Sequence, residues 1–257
     1  SSSIVWTHDY TPGDENTDCG ATGSIEVIFT ATDECGLFST TEATLTIEDS
    51  TAPDITVQAE DETVECDGAG NDGELLAWLA NNGGADAEDA CGLVTWTNDF
   101  TDLSDDCGIT GSATVTFFAE DECGNISATQ AVFEIEDTLE PTIDVEASDL
   151  SIECDNLDQQ TAINDWLDSN GGAVSRDQCS LTDVTWTHDY AAGDENTDCG
   201  ATGTVTVTFT ATDDCGLAST TSAVLTIEDN TAPTITVNPI DETVECDGSG
   251  NLADLQT

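Results

Sequence analysis

Basic side chains are almost absent from this sequence. Arg176 is the only Lys or Arg among 257 residues, against 55 Asp and Glu residues, so the formal net charge at pH 7 is −54. Nucleic-acid binding requires a basic surface, and attraction to an anionic membrane requires the same sign of charge. Both partners are therefore excluded. Charge of one sign at this density also opposes compaction unless counter-ions bind.

Long apolar runs and enzyme motifs are missing as well. No segment has the length and hydropathy of a membrane span, and the first residues do not form a signal peptide, so we expect no membrane insertion and interpret the sequence as a mature internal region. There is no G-x-S-x-G motif and no base with an orienting partner. No C-x₂-C pair indicates a zinc site. The sequence therefore predicts a protein that is not an enzyme.

Cysteine, in contrast, is abundant. The chain contains 11 cysteines, most of them at repeated positions. This usage is typical of disulfide-bonded proteins in an oxidising compartment. We therefore expect an extracellular protein, located on a cell surface or in a secreted filament.

Internal repetition organises the chain. The heptapeptide IEDSTAP begins at Ile47, and related heptapeptides begin at Ile135, 88 residues later, and at Ile227, after a further 92 residues. The repeat predicts four parts: residues 1–48 as the C-terminal part of a module, 49–136 and 137–228 as complete modules, and 229–257 as the N-terminal part of a further module.

Hydrophobic periodicity indicates the fold of each module. In residues 204–211, Val205, Val207 and Phe209 alternate with threonines, as in a half-buried strand. A short helix is predicted over residues 73–81, because Leu75 and Trp78 lie on one helical face and two glycines follow. Several short alternating strands in about 90 residues indicate an all-β fold of tandem immunoglobulin-like β-sandwich modules, each with a short helical insertion.

An acidic loop ending in Cys-Gly occurs three times. Alternate oxygen-bearing side chains on a tight loop are how proteins bind Ca²⁺, and the sequence therefore predicts calcium as the bound ion. The predicted loop ligands are Asp14, Asn16 and Asp18, their copies Asp194, Asn196 and Asp198, and Asp102 and Asp106 in a shortened middle loop.

Further acids are expected to meet where modules join. Following the strand directions from Leu93 onwards places the acids of one module's C-terminal end opposite those at the N-terminal end of the next. Such clusters repel unless cations lie among them, so we expect calcium there to stiffen the linker. The predicted ligands are Glu48, Asp49, Asp89, Asp121 and Glu122 at the first junction, Glu136, Asp137, Asp177, Asp213 and Asp214 at the second, and Glu228 and Asp229 after it.

Four cysteines per module allow three pairings. Cys107 and Cys123 flank a strand of about ten residues and should lie ~30 Å apart, whereas a disulfide requires Cα atoms within ~7 Å. We therefore favour pairing at each end of a module, with Cys66–Cys91 and Cys107–Cys123 as the alternative. The favoured pairs are Cys66–Cys107, Cys91–Cys123, Cys154–Cys199 and Cys179–Cys215, which leave Cys19, Cys35 and Cys246 without partners in this stretch.

The motifs resemble a known family. The segments DETVECDG (61–68), DACG (89–92), TWT (95–97), DDCG (105–108), TVTFFAEDECGN (114–125) and IEDTLEP (135–141) resemble hyalin-repeat-like, immunoglobulin-type modules of large bacterial surface adhesins, including those of type IX secretion and gliding motility. The resemblance implies secretion, tandem arrangement and adhesion. The linkers also resemble those of cadherins, in which calcium rigidifies the junction. The helical insertion and the extreme acidity depart from simpler hyalin-type modules.

These observations predict an extracellular structural or adhesive protein on a bacterial surface, built as a calcium-stiffened, disulfide-stapled rod or filament. Its expected partners are adjacent modules or copies of the same protein, joined by head-to-tail strand complementation. An alternative is a ligand-binding module, lectin-like or with a mineral- or ice-binding face. That alternative rests on an outward row of threonines and would make a glycan or an abiotic surface the partner. The row comprises Thr204, Thr206, Thr208 and Thr210.

Overall fold

The computed structural model describes residues 3–14, 16–154, 158–182, 184–193, 196–197, 202–246 and 248. Most of them form β-strands. We refer to residues 3–48 as the half-module, to 49–136 as module 1 and to 137–228 as module 2. No helix within the described ranges is long and apolar enough to cross a membrane.

The half-module is a single antiparallel sheet. Its long strands β3 and β4 pair along their whole length, β1 pairs with the other edge of β3, and the two-residue β2 also pairs with β3. The strands are β1 (Val5–His8), β2 (Asn16–Thr17), β3 (Gly23–Thr32) and β4 (Phe38–Ile47).

Module 1 has two layers. Its main sheet has the order β6-β10-β9-β8, in which β6 is parallel to β10 and the other pairs are antiparallel. The second layer consists of the two-stranded sheet β5-β7 and the helix α1. The elements are β5 (Asp54–Val57), β6 (Glu62–Glu65), α1 (Asp72–Ala80), β7 (Asp86–Glu88), β8 (Thr95–Asn98), β9 (Gly111–Glu120) and β10 (Ile126–Glu136).

Module 2 repeats this architecture. Its main sheet has the order β12-β17-β16-β14, with β15 also paired to β16, and β11 pairs with β13. The elements are β11 (Thr142–Val145), β12 (Leu150–Glu153), α2 (Gln159–Asp168), β13 (Val174–Arg176), β14 (Thr185–His188), β15 (Asn196–Thr197), β16 (Gly203–Thr212) and β17 (Ala218–Glu228).

The core follows the predicted alternation. Val207 and Phe209 are fully buried on the inner face of β16, while Thr204 and Thr206 are exposed on the outer face. The predicted helix is also present, one residue earlier than expected at each end. Trp78 packs against the Phe117 ring with a centroid distance of 5.1 Å and donates its indole N–H to the Glu60 carbonyl. The predicted all-β sandwich fold with a helical insertion is confirmed.

The disulfides cross the module junctions, which corrects the predicted pairing. Pairs confined to one end of a module, favoured from the sequence, are not formed, and neither is the alternative that joins Cys66 to Cys91. The predicted Cys154–Cys199 bond involves Cys199, which lies outside the described residues. The disulfides are Cys19–Cys123 and Cys107–Cys215, each with Cα atoms 5.1 Å apart, and Cys66–Cys179, with Cα atoms 5.9 Å apart. They replace the predicted Cys66–Cys107, Cys91–Cys123 and Cys179–Cys215.

The physical reason is that the ends of two modules meet at each junction. Cys66 and Cys107 were expected together at the C-terminal end of module 1, and Cys179 and Cys215 at the N-terminal end of module 2. The structure brings both ends together, so each cysteine is bonded to one in the neighbouring module instead of to its companion. Cys19, expected to lack a partner, is bonded for the same reason.

Candidate metal centre

The first junction carries a cluster of three aspartates from three different segments. Asp49 follows β4, Asp89 follows β7 and Asp121 follows β9. A carboxylate oxygen of Asp49 lies within 4.8 Å of one from Asp89 and of the Cys91 sulfur, and the same holds for Asp49, Asp121 and Cys123. Residues distant in sequence therefore converge on the linker between the half-module and module 1.

The second junction repeats the arrangement. Asp137, Asp177 and Asp213 stand in the places of the first three aspartates, one repeat further along the chain. Ligand atoms of Asp137, Asp177 and Cys179 lie within 4.8 Å of one another, and the charge of Asp213 acts on Asp137. Converging ligand atoms around the linker aspartate at both junctions indicate a feature built into the repeat.

Local turns hold the aspartates in place. In each case the Oδ1 atom accepts a backbone N–H two residues further along, the Asx-turn geometry favoured by Asp. The distances are 3.0 Å from Thr51 N to Asp49, 2.8 Å from Cys91 N to Asp89, 2.8 Å from Cys179 N to Asp177 and 2.9 Å from Cys215 N to Asp213. With Oδ1 used in the turn, Oδ2 is the oxygen that remains for a ligand.

Several of these remaining oxygens are buried without a partner. The Oδ2 atoms of Asp49, Asp137 and Asp213 are inaccessible to solvent and accept no hydrogen bond from the part of the chain that the structure describes. Burying a carboxylate oxygen without compensation is costly. One cation at each junction would satisfy them, the first beside Asp49 and the second beside Asp137 and Asp213.

The two clusters differ at one neighbouring residue. In the first, the Asn125 amide donates to Asp121 Oδ2 at 2.8 Å and to the Asp49 carbonyl at 3.3 Å. Burial opposes the charge of Asp121, but hydrogen bonds from Asn125 and from the Cys123 N–H outweigh it and lower the pKa of Asp121. Leu217 occupies the equivalent place in module 2 and leaves Asp213 Oδ2 unsatisfied.

Burial and neighbouring charges change the pKa of Asp137. Burial, and then the charges of Asp177, Asp213 and Glu65, raise the pKa of Asp137, although a hydrogen bond from the Leu139 N–H opposes the shift. The surroundings of Asp137 therefore disfavour its charged form, and a positive charge placed among these carboxylates would favour it.

The donor set fits a hard cation. Cys123 and Cys179 are in disulfides, so their sulfurs are not thiolate ligands. Burial, and then the charges of Asp49, Asp89 and Asp121, raise the pKa of the Cys91 thiol, which keeps it protonated. Carboxylate oxygens are therefore the donors, and these suit Ca²⁺ rather than Zn²⁺.

Backbone contacts close each junction beside its cluster. The Ala21 N–H donates to the Cys91 carbonyl at 2.7 Å, and the Ile109 N–H donates to the Cys179 carbonyl at 2.9 Å. The preceding residue is glycine in both cases; Gly108 has φ +57°, and a Cβ there would collide with the Cys179 carbonyl. The Cys-Gly turn of each acidic loop is thus a docking point for the next module.

The aspartates of the acidic loops themselves lie outside the clusters. Asp14, Asp18, Asp102 and Asp106 are exposed, and none shares a group of converging ligand atoms in the described ranges. Asn16 and Asn196 lie in β2 and β15, whereas Asp194 and Asp198 are outside the described residues.

The remaining predicted ligands belong to no group of converging ligand atoms among the described residues. Glu48, Glu136 and Glu228 are exposed where a long strand ends, Glu122 lies against Gly20 and Gly92, Asp214 accepts from Leu181 and Thr182, and Asp229 accepts from Thr231. Asn125 is the neighbouring residue that sequence reasoning missed; its only signal is its position four residues after Asp121.

The outward threonine row is present in module 2 but is not a property of the repeat. Thr206 is exposed on β16. Its counterpart in the half-module is Glu26, and the counterpart of Thr210 in module 1 is Phe118. A flat threonine face that continues along the chain is therefore not formed.

Comparison with known proteins gives structural similarity only. No protein-family model and no curated protein matches the chain. Among solved structures, the chain is similar to the protocadherin gammaB7 EC3-6 cis-dimer (TM-score 0.31, 13% identity, 87% of this chain and 68% of that one). It is also similar to protocadherin gamma C5 EC1-3 (0.30, 8%, 81% and 78%) and to the human desmocollin-1 ectodomain (0.26, 11%, 82% and 48%).

Proposed function

We propose that this chain is part of an extracellular array of β-sandwich modules with a structural or adhesive function on a bacterial surface. In this proposal the modules are residues 49–136 and 137–228, calcium ions bind at the junctions, and disulfides across the junctions hold neighbouring modules together. The array acts as a stiff rod that carries an adhesive end away from its attachment point.

One observation carries the proposal. The aspartate cluster recurs at both junctions, and in each a linker carboxylate oxygen, Asp49 Oδ2 or Asp137 Oδ2, is buried without a partner. Aspartates that only contacted solvent would have no reason to bury a carboxylate oxygen at the same position in successive repeats.

Calcium would be held by the three aspartates of a cluster, with water and backbone carbonyls completing its six to eight oxygen ligands. Its charge would offset the repulsion that raises the pKa of Asp137. Because Asp137 belongs to the linker while Asp177 and Asp213 belong to module 2, a shared ion would fix the linker to the following module and reduce bending.

The disulfides support an extracellular location and a mechanical function. Three disulfides within the described residues indicate an oxidising compartment. Each joins two neighbouring modules across 104 to 113 residues of sequence, so it limits separation of the modules even when the metal is removed. In a tandem array under tension, both the bound metal and the disulfides would hold neighbouring modules together.

Neighbouring copies or modules are the expected partners. The half-module and the segment after module 2 contain complementary parts of one repeat, so we propose that copies associate head to tail by strand complementation.

Small-angle X-ray scattering on the 257-residue chain tests the rod. We expect a longer maximum dimension and a more rigid profile in calcium than in EDTA, at equal ionic strength. Magnesium is the matched control ion, because it retains its water and prefers octahedral sites. Identical profiles in calcium and EDTA would mean that the junction acids are only solvated, and the calcium part of the proposal would fail.

A further inference from the structure

The half-module exposes a face that is core in both complete modules. Leu45 and Ile47 on β4 are 42% and 40% exposed. Their counterparts in module 1, Phe133 and Ile135, are 0% and 2% exposed. Trp6 on β1 is likewise 62% exposed. Among the described residues, no second layer covers this inner face of the half-module's sheet.

In modules 1 and 2, a short strand pairs with the edge of the main sheet that corresponds to the free edge of β4. In module 1, residues 62–65 pair in parallel with 133–136, the Cys66 N–H donates to the Glu136 carbonyl at 2.8 Å, and Asp61 Oδ1 accepts the Val132 N–H at 2.8 Å. Module 2 repeats the parallel pairing, with residues 150–153 beside 225–228. Within the described residues, the corresponding edge of β4 pairs with no strand.

The chain carries a spare copy of this segment. Residues 241–248 have the sequence DETVECDG, identical to residues 61–68. Residues 231–246 are exposed and form no strand, and Ile235, Ile240 and Val244 are 77%, 94% and 44% exposed. The same molecule therefore contains an exposed segment that forms no strand and an uncovered sheet face whose counterpart in module 1 pairs with the identical segment.

A cysteine marks where the segment would end. Cys91 occupies at the first junction the place that Cys179 has at the second: each accepts a backbone N–H from the preceding Cys-Gly turn, and each donates its N–H to an aspartate at 2.8 Å. Cys179 is bonded to Cys66, whereas Cys91 is half-buried without a disulfide. Cys246 is the counterpart of Cys66 and is exposed.

We propose that residues 241–246 of one copy add to the free edge of β4 in a second copy and that Cys246 then forms a disulfide with Cys91 of that copy. This inference rests on the head-to-tail association proposed above and makes it covalent. Val244 would cover the exposed apolar face, Asp241 would accept the Thr44 N–H, and the Cys246 N–H would donate to the Glu48 carbonyl. One hydrogen bond of the complete modules would be missing, because Pro239 stands where Ala59 donates to Thr129.

The bond forms by thiol–disulfide exchange with a low-molecular-weight disulfide such as oxidised glutathione. One thiolate attacks it and releases a thiol, and the second cysteine then attacks the mixed disulfide and releases another. Two protein thiols are oxidised and the small disulfide is reduced to two thiols, so the electrons balance. Docking places both sulfurs within reach, which favours this pair over random collisions.

The test oxidises the 257-residue chain in a glutathione buffer with calcium and analyses it by sedimentation, non-reducing gels and peptide mapping. We expect covalent multimers and a Cys91–Cys246 linked peptide. Val244→Asp should reduce that peptide about tenfold or more, because a charge would enter the apolar face. The matched control Val237→Asp should change it little, because its counterpart Val57 is 46% exposed in module 1.

The outcomes separate the two proposals. With Cys246→Ser, multimers that dissociate in detergent would remain if strand addition is correct. Multimers in the parent chain without the Cys91–Cys246 peptide would overturn the disulfide while leaving head-to-tail association intact. Absence of multimers would overturn both. Random linkage, with Cys246 joined equally to the exposed Cys35, would also overturn the inference.

Discussion

Replacing Asp137 by Asn should change the stability of the protein in opposite directions with and without calcium. The substitution keeps the side-chain shape and the Oδ1 that accepts the Leu139 N–H. In EDTA it removes a carboxylate whose charged form is disfavoured by burial and then by the neighbouring charges, as the raised pKa of Asp137 indicates, so the melting temperature should rise. In calcium it removes a charged ligand, so the melting temperature should fall.

The size of the calcium effect follows from mass action. Extracellular calcium modules have dissociation constants of about 10⁻⁴ to 10⁻³ M. At about 10 mM calcium and a constant near 10⁻⁴ M, one site stabilises the folded state by about 2.7 kcal/mol. For a cooperative unit of about 180 residues this corresponds to a rise in melting temperature of about 5–10 °C. Loss of one carboxylate should weaken binding at least about tenfold, which is about 1.4 kcal/mol.

Differential scanning calorimetry of the full chain in calcium and in EDTA, with calcium titration calorimetry, measures both quantities. Asp165→Asn is the matched control, because it removes the same charge from an exposed position on α2 and should not reverse the order. A shift of Asp137→Asn in the same direction under both conditions would refute the cluster as a cation site. An unchanged calcium stoichiometry and affinity would refute it as well.

Further predictions concern the surroundings of the clusters. Gly108→Ala should destabilise the second junction by more than Gly124→Ala, measured by denaturant unfolding, because both have positive φ but only at Gly108 would a Cβ collide with the neighbouring module. Asn125→Leu, which copies module 2, should free Asp121 Oδ2 and strengthen calcium binding at the first junction, measured by titration calorimetry. In EDTA, the stability of the parent chain minus that of Asp137→Asn should fall as pH rises above the ordinary carboxyl value of 3.8 and through the raised pKa of Asp137, because folded Asp137 binds the extra proton; saturating calcium should reverse the slope of this difference, since protons compete with the ion. An EDTA slope of the opposite sign in acid-range melting curves would contradict the repulsion.

The fold was predictable because its signals are local and repeated. Alternation of Val207 and Phe209 with threonines is a period-two pattern that only a half-buried strand explains. The helix around Trp78 follows from spacing and from the glycines after it. Because the same patterns recur in three copies, an ambiguous secondary-structure prediction in one copy is resolved by the others. The two-stranded sheet β5-β7 was not predicted as a pair, since short strands leave little periodicity.

The candidate site was only partly predictable. Strand directions place Asp137, Asp177 and Asp213 at one junction, and the structure brings them together. The loop spacing that first suggested calcium, beginning at Asp14, does not produce a cluster among the described residues. The spacing of oxygens along a chain shows which side chains could bind an ion, but only the tertiary fold decides which of them point inward.

The disulfide pairing could not be derived from one module. Each junction gathers cysteines of two modules, so the distance argument that excluded Cys107–Cys123 does not choose between a bond within one end and a bond across the junction. Choosing requires the rotation of one module relative to the next. That rotation is fixed by contacts such as the Ile109 N–H to the Cys179 carbonyl, which no sequence periodicity encodes.

Crossing the junction gives the disulfides a role that bonds within modules would lack. At the second junction, burial and then the charges of Asp177 and Asp213 raise the pKa of Asp137, so the charged form of the linker aspartate is disfavoured there. A closed loop of 108 residues, as formed by Cys107–Cys215, disfavours the unfolded chain by about 4.8 kcal/mol in the chain-entropy model. That exceeds the stabilisation expected from one calcium ion. In the proposed array, the covalent bonds would therefore keep each junction assembled at low calcium concentration, and bound calcium would determine how rigid the junction is. Stability and stiffness would be set by different bonds at the same place, so a change in calcium concentration could alter the mechanics of the array without unfolding it.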